Sequence, residues 1–195
     1  MKTKATYRIY IFFLLFIFSL LSTECQTTMT EVKVNSVSLT QEKDENNATV
    51  TFMRPSKDGF MRLSIWDSKN FVGILNTKNY VKYKTTPGEH FFMIRTARWY
   101  YIVANLEKAK NYYIVINFNQ LKPIIPAQKG KTSERELLDW IIKGKRVAIN
   151  PKAKLENFIN PRKDHVQLSL EVFLCNYKRG SNLIKYEVLN PDDGW

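Results

Sequence analysis

Between residues 49 and 116 the apolar positions fall in short runs broken by turn-forming residues. Thr49-Val50-Thr51-Phe52-Met53-Arg54 is rich in β-favouring residues and stops at Pro55. Met61-Arg62-Leu63-Ser64-Ile65-Trp66 alternates, which places Met61, Leu63 and Ile65 on one face. Phe71–Leu75, Tyr80–Lys84, His90–Arg95, Tyr100–Ala104 and Tyr112–Ile116 follow as further runs. The breaks carry Lys57-Asp58-Gly59, Asp67-Ser68-Lys69-Asn70 and Thr86-Pro87-Gly88-Glu89. In the last of these, proline presets one backbone angle and glycine accepts a positive one, so a tight turn is predicted. Successive side chains of a strand point to opposite faces, so runs of this length and period predict strands. About seven short strands with turns between them predict an antiparallel β-sandwich or a small barrel.

After Leu121 the pattern changes. Pro123 and Pro126 flank Ile124-Ile125. Ser133-Glu134-Arg135-Glu136 has the form of a capping box, in which the serine oxygen accepts from the amide three residues on and the glutamate reaches back. Leu137, Leu138, Ile141 and Ile142 supply the apolar stripe of the helix, and Gly144 ends it. This stripe is expected to pack on the sheet or on a partner. Asn150-Pro151 and Asn160-Pro161 are further helix-start cues, with Leu155, Phe158 and Ile159 apolar. Val166 to Tyr177 fits two periods. Val166, Leu168, Leu170, Val172 and Leu174 alternate as in a strand, whereas Val166, Leu170, Phe173, Leu174 and Tyr177 share a helix face. The cap-like start, and Gly180 after Lys178-Arg179, favour the helix. The fold class read from this pattern is mixed and mainly β: a small antiparallel β-sandwich followed by a helical C-terminal appendage. Its expected divisions are an export signal over 1–25, a polar spacer with one short strand over 26–47, the sandwich over 48–120 and a mainly helical region over 121–195.

Four segments of the β region carry a resemblance. Ala48-Thr49-Val50-Thr51-Phe52-Met53-Arg54-Pro55 is an alternating strand ending in Arg-Pro. Trp66-Asp67-Ser68-Lys69-Asn70-Phe71-Val72-Gly73-Ile74-Leu75 has the form x-D-x-x-x-V-G-x-L. Tyr80-Val81-Lys82-Tyr83 leads to Thr86-Pro87-Gly88-Glu89-His90, and Lys108-Ala109-Lys110-Asn111-Tyr112-Tyr113 closes the set. In order and spacing the segments resemble the bacterial domain-of-unknown-function family 2846, over residues 48–118. The resemblance implies a small β-sandwich of the kind often found in exported bacterial proteins and lipoproteins, and it implies no activity. Ala109 stands where that family usually has glycine, which implies a looser turn there.

The N-terminus adds a location. Lys2, Lys4 and Arg8 precede an apolar run from Ile9 to Leu21, and Ser22-Thr23-Glu24-Cys25 follows. This is the order of a secretory signal. A spanning helix needs about 20 apolar residues, so this shorter run favours cleavage over an uncleaved anchor. Cys25 is a candidate lipid-attachment residue, through which the protein would reach a membrane surface. Glu24 before it departs from the small residue such a site favours, and cleavage after Cys25 is the alternative. The expected location is the periplasm, the outer envelope or the medium, tethered or free according to the fate of Cys25. Beyond residue 25 only Cys175 remains, so an intrachain disulfide is not expected, and a lone cysteine ordinarily packs as a small hydrophobe.

Charge widens the range of partners without selecting one. The chain has 30 Lys and Arg against 18 Asp and Glu. A basic protein of this kind suits acidic partners such as anionic lipid, acidic polysaccharide or nucleic acid. The lysines are dispersed, however, and Lys143-Gly144-Lys145-Arg146 and Arg162-Lys163 are the densest clusters, so nucleic acid is not favoured. Asn47-Ala48-Thr49 matches a glycosylation sequon, a triplet frequent by chance.

Candidate chemistry is sparse. There are two histidines, His90 beside Pro87-Gly88 and His165 next to Asp164, and no HExxH, CxxC, GxSxG or Walker pattern. No catalytic residue, metal site or cofactor is assigned. The strongest candidate surface is Trp99-Tyr100-Tyr101 with Arg95 and Arg98, because Trp, Tyr and Arg concentrate at binding hot spots. The bland alternative is a strand whose alternate members fill the core. Asp192-Asp193-Gly194-Trp195 is an unusual tail whose tryptophan could dock on the domain or on a partner. The reading favoured by the sequence is an exported envelope protein acting as a non-enzymatic binding or structural module, with an envelope protein or a glycan as partner. Its alternatives are an accessory hydrolase or glycan-processing enzyme with a site between the two halves, and electrostatic attachment to anionic envelope surfaces.

Overall fold

The structure, a computed structural model, describes residues 27–34, 44–55, 61–117, 124–128 and 130–195. The expected export signal with Cys25, the apolar positions Val37 and Leu39 and the expected Lys57-Asp58-Gly59 turn lie outside the described residues. The elements in chain order are β1 (Met29–Glu31), β2 (Ala48–Arg54), β3 (Leu63–Asp67), β4 (Asn70–Leu75), β5 (Asn79–Thr85), β6 (Gly88–Arg95), β7 (Trp99–Leu106), β8 (Asn111–Ile116), β9 (Ile124–Pro126), α1 (Glu134–Lys143), β10 (Lys145–Ile149), α2 (Leu155–Ile159), α3 (Lys163–Lys178) and β11 (Tyr186–Leu189).

The strands form two sheets, ordered β1-β10-β5-β2-β8-β9 and β11-β7-β6-β3-β4. The mainly β class holds, but the sheets are mixed rather than purely antiparallel. β2 runs parallel to β8, β10 to β5 and β11 to β7. The last two of these pairs depend on strands from beyond residue 121, so that region is more than a helical appendage. It adds β9 and β10 to one sheet and β11 to the other.

Side-chain alternation sorts each strand between two environments. Val50 and Phe52 of β2, Tyr112 and Ile114 of β8, Phe92 and Ile94 of β6 and Ile102 of β7 meet in the core between the sheets. The alternate positions face outward and are buried as well. Met53, Tyr80, Tyr113 and Val115 lie beneath Leu137 and Ile141 of α1. Trp66, Met93, Tyr101 and Val103 lie beneath Val166, Leu170 and Phe173 of α3. The molecule is therefore layered helix, sheet, sheet, helix. Covering both faces explains why the strands read as nearly continuous apolar runs.

The helices confirm the period argument. Ser133 caps α1, its Oγ accepting from the Glu136 amide at 3.2 Å. Leu137 and Ile141 are buried and Leu138 is half-buried, while Ile142 is exposed, so the stripe is narrower than the sequence implies. Gly144 ends the helix without a left-handed backbone. A Cβ there would stand 3.1 Å from the Trp140 carbonyl oxygen and from Tyr80 Cδ1, so a larger residue would require these neighbours to shift by a few tenths of an ångström. In α3 Val166, Leu170 and Phe173 are buried and Leu174 and Tyr177 half-buried, whereas Leu168 and Val172 of the alternative strand pattern are exposed. Asn150 forms a turn, its Oδ1 accepting from the Lys152 amide, and the next helix starts only at Leu155.

Two turn expectations resolve differently. Gly88 has φ 124°, the positive angle anticipated after Pro87. Ala109 has φ 59°, a left-handed backbone that glycine takes without strain. The turn is nevertheless closed rather than loose, since the Ala109 amide donates to the Asn47 carbonyl at 3.0 Å. The sequon asparagine, Asn47, is half-buried and its amide side chain donates to Asp44 at 3.1 Å. The tail is docked. Trp195 exchanges two backbone hydrogen bonds with Asn111, at 2.9 and 3.0 Å, and its ring meets Tyr113 edge-on at 5.3 Å.

Candidate functional site

The hairpin joining β6 to β7 builds the most developed surface. Arg95 and Trp99 face each other across the hairpin, and Thr96 closes its loop by donating its amide to the Arg98 carbonyl at 2.9 Å. Both arginines at this tip lie on aromatic faces. The Arg95 guanidinium is 5.0 Å from the Trp99 ring centre, and that of Arg98 is 5.2 Å from the Tyr100 ring. Arg98 Nε also donates to the Tyr100 hydroxyl at 2.8 Å. Such stacking holds a guanidinium plane in place while its remaining N–H edges stay available to a ligand.

Two clefts flank this tip and share Trp99 as a wall. The larger, about 670 Å³, lies between the tip and the segment leading into β11, and is lined by Arg98, Trp99, Tyr100, Tyr101, Leu183 and Tyr186 among others. Leu183 is 86% exposed, which leaves an apolar rim on an otherwise amphipathic groove. The smaller, about 310 Å³, lies between the tip and the start of α3, where Ser64, Trp66, Arg95, Trp99, Arg162 and His165 contribute. Among the described residues no carboxylate lines the smaller cleft.

All five residues anticipated as an interaction surface thus border one cleft or the other. Their roles differ. Tyr101 is buried, stacks on Phe173 at 4.4 Å between ring centres and donates from its hydroxyl to the Ser169 carbonyl at 3.5 Å, so it chiefly ties β7 to α3. Burial pushes its phenol pKa up. Arg95, Arg98, Trp99 and Tyr100 are the members presented to solvent in part. Sequence reasoning missed Ser64 and Trp66, which sit on a neighbouring strand, and the segment before β11. Arg162 was visible only as part of a short basic cluster and His165 only as a neighbour of Asp164.

His90 belongs to a separate polar group joining the sheets. Its Nδ1 lies 2.8 Å from Asp67 Oδ2 and its Nε2 lies 2.9 Å from the Thr86 carbonyl. The Tyr83 hydroxyl donates to the same Asp67 oxygen at 3.0 Å. Both ring nitrogens face acceptors, so both bonds form only in the imidazolium. The hydrogen bond to Asp67 raises the His90 pKa above its ordinary value, against the lowering effect of burial. Burial, with the Asp67 charge beside it, holds the Tyr83 phenol at about 12. With Nε2 already engaged by a backbone carbonyl, this group is a tie between β5, β3 and β6 rather than an acid–base pair aimed at a substrate.

Cys175 is exposed on α3 rather than buried, contrary to the usual fate of a lone cysteine. Among the described residues no three His, Cys, Asp or Glu side chains are gathered in an arrangement that could hold a metal ion, and no helix is long and apolar enough to cross a membrane. In comparisons with known proteins the chain matches no family model, no curated protein and no solved structure.

Proposed function

We propose that the chain is an exported, non-enzymatic binding module of the cell envelope whose ligand, a saccharide, lies across the β6–β7 tip. The observation that carries this reading is the pair of clefts sharing Trp99, bordered by stacked arginines and tyrosines. A sugar ring offers C–H faces to aromatic rings and hydroxyl edges to guanidinium and phenol groups, and an amphipathic groove walled by aromatic rings suits it. The signal-like N-terminus and the resemblance of residues 48–118 to exported β domains support an envelope location.

The test is titration of the processed protein with neutral and acidic oligosaccharides by calorimetry, alongside Arg98→Ala and Tyr100→Ala variants. Saturable binding that both variants weaken, at unchanged thermal stability, is expected. Binding indifferent to both changes would place the ligand elsewhere and remove the reading. Mass spectrometry of the processed N-terminus decides tethering: a diacylglycerol adduct on Cys25 marks a lipoprotein, and cleavage after Cys25 a free protein.

A further inference from the structure

We propose that the smaller cleft is an oxyanion subsite, so that the saccharide bound at the tip is an acidic one, carrying a sulfate, phosphate or carboxylate group. The inference rests on the saccharide reading above and adds the ligand's charge. Three cation-capable side chains converge on about 310 Å³ from three places in the fold: Arg95 from the end of β6, Arg162 from the turn before α3 and His165 from its first turn. Two of them are held in position. Arg95 rests on Trp99, and Arg162 rests 3.9 Å from the Phe158 ring centre while donating to the Phe158 carbonyl at 2.7 Å. Neither arginine has a carboxylate partner among the described residues.

The floor adds a neutral donor. Ser64 is 8% exposed, and its oxygen accepts from Trp66 Nε1 at 3.2 Å. That bond leaves the serine hydroxyl hydrogen for another acceptor. The cleft is therefore rich in donors and poor in acceptors, which is the composition that selects an oxyanion. A planar guanidinium matches two oxygens of such a group, and a histidine ring offers an N–H whether neutral or charged. Because Trp99 walls both clefts, a sugar stacked in the larger one can place an acidic substituent in the smaller.

The experiment compares a sulfated disaccharide with its unsulfated parent, and inorganic sulfate with chloride at matched ionic strength, all by calorimetry on the processed protein. The sulfated sugar is expected to bind about tenfold or more tightly than its parent, the equivalent of one further charge-assisted contact. Arg162→Ala, an exposed position, should bring the two affinities together by weakening the sulfated sugar far more than its parent. Arg95→Gln should act in the same direction, with the thermal midpoint checking that both variants fold. Inorganic sulfate, but not chloride, should displace the sulfated sugar. Equal affinities in the wild type, or a preference that survives both substitutions, would overturn the subsite. If no saccharide binds while sulfate still binds saturably and depends on Arg162, the saccharide reading fails and the oxyanion subsite stands.

Discussion

Asp67→Asn is the sharpest probe of how the two sheets are fastened. The substitution keeps the shape of the side chain and removes the charge that faces His90 Nδ1 at 2.8 Å and the Tyr83 hydroxyl at 3.0 Å. The Asp67 and His90 side chains are only 7% and 11% exposed, so solvent screens the pair little. Hydrogen bonds to charged groups contribute about 1.5–3 kcal/mol each, and loss of the carboxylate weakens two of them. Because the imidazole can shed its proton in response, the expected net cost is about 2–3 kcal/mol below pH ~6.5. The sign of the pH dependence follows from the raised His90 pKa. A histidine whose folded value lies above its unfolded value, near 6.5, stabilises the fold fully below the unfolded value. That contribution disappears as pH rises through the folded value. Urea unfolding from pH 5.5 to 9 should therefore show the gap between wild type and Asp67→Asn narrowing as pH rises. His90→Gln should lose the same pH-dependent part, and the double variant should cost less than the two single changes together. A gap that stays constant with pH, or strictly additive costs, would refute a charged tie.

Two further outcomes test the layers and the turns. Phe173→Ala removes a ring that is 1% exposed and stacked on Tyr101, so a loss of about 3–5 kcal/mol is expected in denaturant unfolding. A loss under about 1 kcal/mol would mean that α3 is a loose attachment rather than the fourth layer. Ala109→Gly relieves a left-handed backbone at φ 59° and is expected to stabilise by about 0.5–1 kcal/mol, while Gly88→Ala at φ 124° should destabilise. Thermal melts that order these two variants the other way would contradict the backbone argument.

The seven strands between residues 49 and 116 were legible because each is long enough to show its own period and is bounded by residues with specific turn chemistry, as at Pro87-Gly88. The start of α1 was legible for the same reason, since a serine cap is a local bond between neighbours in the chain. β9, β10 and β11 were not, because these short runs lack the clear alternation of the earlier strands and are held by partners far away in sequence. β11, for example, exists by pairing Tyr186 with Tyr101 and Leu189 with Ala104. The helix over Val166–Tyr177 was legible from its cap-like start and from Gly180, and the apolar outer face of the β11-β7-β6-β3-β4 sheet then fixed which of its side chains are covered. The candidate site divides in the same way. Arg95, Arg98, Trp99, Tyr100 and Tyr101 stood out in sequence because they are contiguous and of binding type. Only the packing of α3 beside β3 and β7 brought Arg162, His165, Ser64 and Trp66 around the same tryptophan. Local chemistry determines turns, caps and periods, whereas a cleft is made by surfaces that meet after the chain has folded.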